Sequence, residues 1–210
     1  EIYRCDWSSD VCSSDLTVLY YNAQGQLHRT DGPAATHPNC TQAWYQNGKR
    51  HRIDGPAIVY PNGEQHWYQQ GLLHRTDGPA IIHPDGEEHW YQHGLEHRVA
   101  GPALTRADGS SAWYQNGRLH RVGGAAVIYP SWEERWYQND QLHRTDGAAV
   151  IYNSGERHWY QQGLLHRTDG PAVVYSDGHQ RWYLNGEEFS EEEFNQCIAD
   201  GGYNDARCAN

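Results

Sequence analysis

Histidine, arginine and aspartate recur in this chain at fixed offsets, and such a trio could do several kinds of chemistry. His-Arg pairs begin at His28, His51, His74, His97, His120, His143 and His166, each 23 residues after the last. In five copies an aspartate follows two residues after the arginine: Arg29/Asp31, Arg52/Asp54, Arg75/Asp77, Arg144/Asp146 and Arg167/Asp169. A His–Asp couple can move protons, grouped imidazoles can hold a metal, and a row of guanidinium groups can bind anions or a glycan. A second ladder, of Trp-Tyr pairs, starts at Trp44, Trp67, Trp90, Trp113, Trp136, Trp159 and Trp182 with the same interval. Its rings could form a ligand platform.

Spacing decides among these. A fixed period of about 20–50 residues marks an array of small units, none able to bury a core alone. If each unit adds two strands to one sheet, equivalent residues lie about 9.6 Å apart, twice the ~4.8 Å strand spacing. Metal ligands sit at ~2.0–2.3 Å, so the ladder histidines cannot share one ion. Aromatic rings pair at ~4.5–7 Å, so the Trp ladder must be interleaved with strand residues such as Tyr60, Tyr129, Tyr152 and Tyr175. Sevenfold repetition without a unique nucleophile argues against catalysis, so no catalytic residue, metal or cofactor is assigned. The Arg-x-Asp-Gly segment reads first as an ion pair that shapes a turn, and the Trp-Tyr ladder first as packing.

The elements that carry the ladders follow from one copy. Ala57-Ile58-Val59-Tyr60 is a short β-branched run and predicts a strand. Pro61-Asn62-Gly63-Glu64 predicts a tight hairpin turn in which Asn-Gly supplies positive φ angles. Gln65-His66-Trp67-Tyr68-Gln69 predicts the return strand, with Trp67 and Tyr68 on opposite faces. Residues 70–79 predict a longer shaped loop, with Leu73 as its apolar anchor. That anchor recurs as Leu27, Leu119, Leu142 and Leu165, while Arg50 and Glu96 replace it in two copies. Alanine recurs in every copy (Ala34, Ala57, Ala80, Ala103, Ala126, Ala149, Ala172), which predicts a tight spot under the Trp of a neighbouring strand. Ala100 and Gly123 replace the loop aspartate, and Trp132 stands where other copies have a turn glycine. The first copy has an extra residue and no Trp.

Composition agrees with a thin structure. Tyr (15) and Trp (9) greatly outnumber Phe (2), which suits rings with one wet end. Residues 1–16 share nothing with the repeat and resemble a translated sequencing adapter, so they read as a non-native segment, with the native N-terminus missing. Without their four acids and Arg4 the net charge of −11 becomes −8. That acidity disfavours nucleic acid and anionic lipid as partners. No apolar run approaches the ~20 residues of a membrane span. Cys40, Cys197 and Cys208 show neither a disulfide framework nor a zinc-module spacing. The chain reads as soluble, with a cytoplasmic location favoured and secretion left open.

Residues 17–186 therefore read as the array and residues 187–210 as a cap. Ser190 and Glu193 predict a capping box, opening a helix over about 191–199 with Phe194, Cys197 and Ile198 on one face. Such a helix would cover the last sheet edge.

The phrase from Trp67 to Gly86, WYQQGLLHRTDGPAIIHPDG, resembles a MORN-type repeat, in a variant with His-Arg-x-Asp-Gly-Pro-Ala in place of the usual His-Gly-x-Gly. The resemblance covers residues 20–186. It implies an elongated, single-layer, all-β meander of about seven stacked hairpins that scaffolds a protein partner. A sheet face or the His-Arg edge would be the contact, through Trp67, Trp90, Trp113, Trp136, Trp159, His74, Arg75, His143, Arg144, His166 and Arg167. Ala57, Ala80, Ala103, Ala126, Ala149 and Ala172 with Asp54, Asp77, Asp146 and Asp169 would be structural, and Ser190, Glu193 and Phe194 would form the cap. A weaker similarity, to choline- and glucan-binding repeats, makes a carbohydrate or choline the alternative ligand.

Overall fold

A computed structural model describes residues 16–201. They fall into two compact units, divided between Ala107 and Asp108. Both are antiparallel β-meanders, and a single helix follows in the second. In the first unit eight two-residue strands pair in chain order. They are Val18–Leu19, Ala35–Thr36, Gln42–Ala43, Ile58–Val59, Gln65–His66, Ile81–Ile82, Glu88–His89 and Leu104–Thr105. In the second, Ser111–Ala112 pairs with Val127–Ile128, and the order continues to Gln180–Leu184 and Glu187–Phe189.

The return strand predicted over 65–69 is broken at Trp67. Gln65–His66 pairs in the main sheet with Ile58–Val59, whereas Tyr68–Gln69 folds back on Leu72–Leu73 as a separate two-stranded ribbon. Trp67 is the pivot: its N–H donates to the carbonyl of Ala80, and its carbonyl accepts from the His74 N–H. The stretch predicted as a shaped loop thus begins with a second hairpin. Its turn, Gln70-Gly71, has φ of 52° and 86°, the left-handed pair of a type I′ turn. Asn47-Gly48, Asn116-Gly117 and Asn185-Gly186 repeat it with the residues that tolerate such angles best.

The main-sheet turn differs from the expectation. Only Gly63 takes a positive φ (91°), while Asn62 accepts the Glu64 N–H through its side chain. Gly63 donates to the Tyr60 carbonyl, which makes a type I turn followed by a left-handed glycine. Trp132 occupies that glycine position at φ 66° and is 80% exposed.

Small residues make the core. The seven repeat alanines are 0% exposed, as the tight spot predicted, and Ile58, Val150 and Val173 are buried beside them. The Trp and Tyr rings of the ladders are half-buried. At the second unit's end, α1 (Glu191–Ala199) matches the predicted helix, and Ser190 and Glu193 form the capping box. Phe194 and Cys197 pack on Leu184, with Trp182, Phe189 and Ile198 around them. The helix thereby covers the terminal hairpin. Cys40 and Cys197 are each disulfide-bonded, which corrects the expectation that the irregular cysteine spacing excludes disulfides. Most of residues 1–16, and the chain beyond 201, lie outside the described residues. Among the described residues no helix is long and apolar enough to cross a membrane.

Candidate functional site

Each arginine of the His-Arg ladder lies over an aromatic ring that precedes it, eight residues back in six copies and nine in the first. Arg52 covers Trp44, Arg75 covers Trp67 and Arg98 covers Trp90 in the first unit. Arg121, Arg144 and Arg167 cover Trp113, Trp136 and Trp159 in the second, with guanidinium-to-centroid distances of 3.9, 4.1 and 4.1 Å. Arg29 covers Tyr20 at 4.2 Å, so Tyr20 takes the Trp position of the first copy. The partner of the Trp rings is therefore arginine. Tyr60 and Tyr152, expected to interleave with them, instead meet His66 and His158 edge-on at 5.2 and 5.1 Å.

The loop closes around the guanidinium. Arg75 Nε donates to Asp77 at 3.0 Å, and a terminal nitrogen donates to the Pro79 carbonyl at 3.2 Å. Gly78 supplies the floor: a Cβ there would come within 2.5 Å of Arg75 Cζ. The same contacts recur at Arg29, Arg52, Arg144 and Arg167. The arginine holds Asp31, Asp54, Asp77, Asp146 and Asp169 below the ordinary carboxylate range.

The adjacent histidine points elsewhere. His74 Nδ1 accepts the backbone N–H of His93, the first residue of the next ribbon turn, at 3.1 Å. His28, His51, His120, His143 and His166 do the same for Asn47, Gln70, Asn139, Gln162 and Asn185. This fixes Nδ1 as the unprotonated nitrogen. Burial lowers the pKa of His74 and His166. The histidine thus latches one repeat to the next while its arginine neighbour clamps its own repeat. Within one repeat the two side chains thus have different partners.

What these loops leave free is their tips. The residue after the ladder arginine is β-branched in every copy and exposed: Thr30, Ile53, Thr76 and Val99 in the first unit, Val122, Thr145 and Thr168 in the second. Ile53, Val99 and Val122 are 79, 82 and 78% exposed. In the first unit an open groove between two successive loops is lined by Arg29, Asp31, Trp44, His51, Ile53 and Asp54.

In each unit the sheet carries a second set of paired groups outside the two ladders. Glu64 bonds His66 Nε2 at 2.6 Å, Glu87 bonds His89 Nε2 at 2.8 Å, and Glu156 bonds His158 Nε2 at 2.6 Å. Glu133 pairs with Arg135 in the same register. Thr41/Ala43 and Ser110/Ala112 lose both acid and base, whereas His179/Arg181 keeps the base, which pairs with Glu188 instead. The sequence signal was the Glu-x-His or Glu-x-Arg alternation, since residues two apart share a strand face. His66 titrates low, chiefly through burial, with Glu64 opposing. His89 titrates high, because Glu96 as well as Glu87 accepts from it, against burial. His83, Glu87 and His89 have ligand atoms within 4.8 Å of one another.

No protein-family model matches this chain, and no curated protein matches it.

Proposed function

We propose that the array is a non-enzymatic, MORN-type scaffold that binds a protein partner through the His-Arg loop tips within a unit. The observation that carries this is the row of exposed β-branched residues on loops whose polar groups are already engaged within the chain. Ile53 and Val99 stand 79 and 82% exposed on backbone fixed by the Arg–Trp clasp. Pre-organised loops lose little conformational freedom on binding, which favours recognition. The groove beside Ile53 suits an extended segment that offers it an apolar side chain.

The alternative, a glycan or choline site on the Trp rings, has less support. An arginine already occupies the ring face where a quaternary ammonium or sugar would stack. A display library of peptides and small domains, selected on the wild-type chain, tests the proposal. Selected binders should lose affinity at least tenfold on Ile53→Glu. Binders indifferent to Ile53→Glu and to Val99→Glu, together with quenching of Trp fluorescence by choline or glucan, would overturn it in favour of the alternative.

A further inference from the structure

We infer that His83, Glu87 and His89 form a binding site for one divalent transition-metal ion of zinc type, with Glu96 and Glu64 as its outer carboxylates. The ladder argument against a shared metal does not reach these residues. His83 and His89 lie off the ladder in one hairpin: His83 directly follows the strand Ile81–Ile82, His89 ends the strand Glu88–His89, and Glu87 closes the turn between them. Their ligand atoms converge within 4.8 Å. A tetrahedral ion with bonds of ~2.0–2.2 Å places its ligands ~3.3–3.5 Å apart. Glu87 Oε1 is 2.8 Å from His89 Nε2, and the two imidazole rings are 5.6 Å apart edge-to-face. Small side-chain rotations would bring all three to an ion.

The surroundings argue for a metal beyond mere clustering. A metal-bound histidine usually gives its second N–H to a carboxylate, which fixes its tautomer. His89 Nδ1 faces Glu96 Oε1 at 3.4 Å, and Tyr91 donates to that same oxygen. His83 Nδ1 faces Glu64 Oε2 at 3.8 Å. Each imidazole thus has a carboxylate behind Nδ1 and can offer Nε2 forward. Side-chain exposures of 31, 29 and 17% for His83, Glu87 and His89 leave an entry path and room for water ligands.

The repeat supplies internal controls. The copies around Glu64/His66 and Glu156/His158 have Tyr60 and Tyr152 where His83 stands, and Leu73 and Leu165 where Glu96 stands. Only the copy with His83 combines both departures with a Glu-x-His pair. Two imidazoles and a carboxylate favour a borderline ion over Mg²⁺ or Ca²⁺, which prefer all-oxygen sites.

The test is a titration of the untagged, full chain with Zn²⁺ by calorimetry and with Co²⁺ by visible absorption. We expect one strong site per chain and a Co²⁺ band of low coordination number. His83→Tyr, a residue the array already accepts at this position, should weaken binding at least a hundredfold with an unchanged circular dichroism spectrum. Glu96→Gln should weaken it roughly 10–100-fold, and His158→Ala should leave it unchanged. No strong Zn²⁺ site in the wild type, or a site that survives His83→Tyr, would overturn the assignment.

Discussion

Two loops of the first unit, at Arg75 and at Arg98, differ by a carboxylate and yet hold the same clasp. Arg75 has Asp77 two residues on; Arg98 has Ala100. With the aspartate, the guanidinium sits 4.2 Å from the Trp67 centroid and 3.2 Å from the Pro79 carbonyl. Without it, the guanidinium closes to 3.8 Å over Trp90 and 3.0 Å from the Pro102 carbonyl. The second unit repeats the contrast. Arg144, with Asp146, is at 4.1 and 3.1 Å, and Arg121, with Gly123 at the aspartate's position in sequence, is at 3.9 and 2.9 Å. The aspartate therefore does not create the clasp; it draws the guanidinium slightly outward. Asp77 is 81% exposed, and exposed ion pairs contribute little against solvent and salt. Stacking and the carbonyl bond hold the loop.

The largest effect is expected at the glycine floor. Gly101 has φ 131°, where L residues are strained, and a Cβ would lie 3.0 Å from Arg98 Cζ. Gly101→Ala should cost about 2–3 kcal/mol in urea denaturation. Next comes Arg98→Ala, which removes stack and carbonyl bond together and should cost about 2 kcal/mol. A smaller effect lies with the histidine common to both loop types. His166→Ala frees the Asn185 N–H and should cost about 1 kcal/mol at pH 8.

The pH dependence of that histidine has a definite sign. Its folded pKa is depressed by burial, so the folded state binds fewer protons than the unfolded one. The latch is intact above the ordinary imidazole pKa of ~6.5 and is lost as pH falls through the lower folded value. The gap in urea midpoint between wild type and His166→Ala should therefore narrow from pH 8 to pH 5. His89, whose pKa is raised, acts in the opposite sense, so the difference between the two proteins is the quantity to follow. The smallest effect is Ala100→Asp. It converts one loop type to the other and should leave the midpoint unchanged.

Much of this was legible in the residues, and the misses have physical causes. The 23-residue period fixed the repeat unit, Ile58–Val59 appeared as the first strand, and Ser190 with Glu193 marked the cap. The second hairpin is not legible at Gln70-Gly71, where glutamine gives no type I′ signal. Asn47-Gly48 and Asn185-Gly186 carry the type I′ signal openly. The arginine clasp was half legible: Arg-x-Asp announced the ion pair, but nothing local places Arg75 over a ring eight residues back. The Glu-x-His pairs are hard to read from sequence because those positions vary between copies, with Thr41/Ala43, Ser110/Ala112 and Glu133/Arg135 in their place.

The central claim is that the clasp rests on the Arg–Trp stack and not on the Arg–Asp pair. It is tested most directly by urea denaturation of Arg75→Ala and Asp77→Ala side by side. The account predicts a loss of about 2 kcal/mol for Arg75→Ala and a midpoint indistinguishable from wild type for Asp77→Ala. An Asp77→Ala protein as destabilised as Arg75→Ala would contradict it.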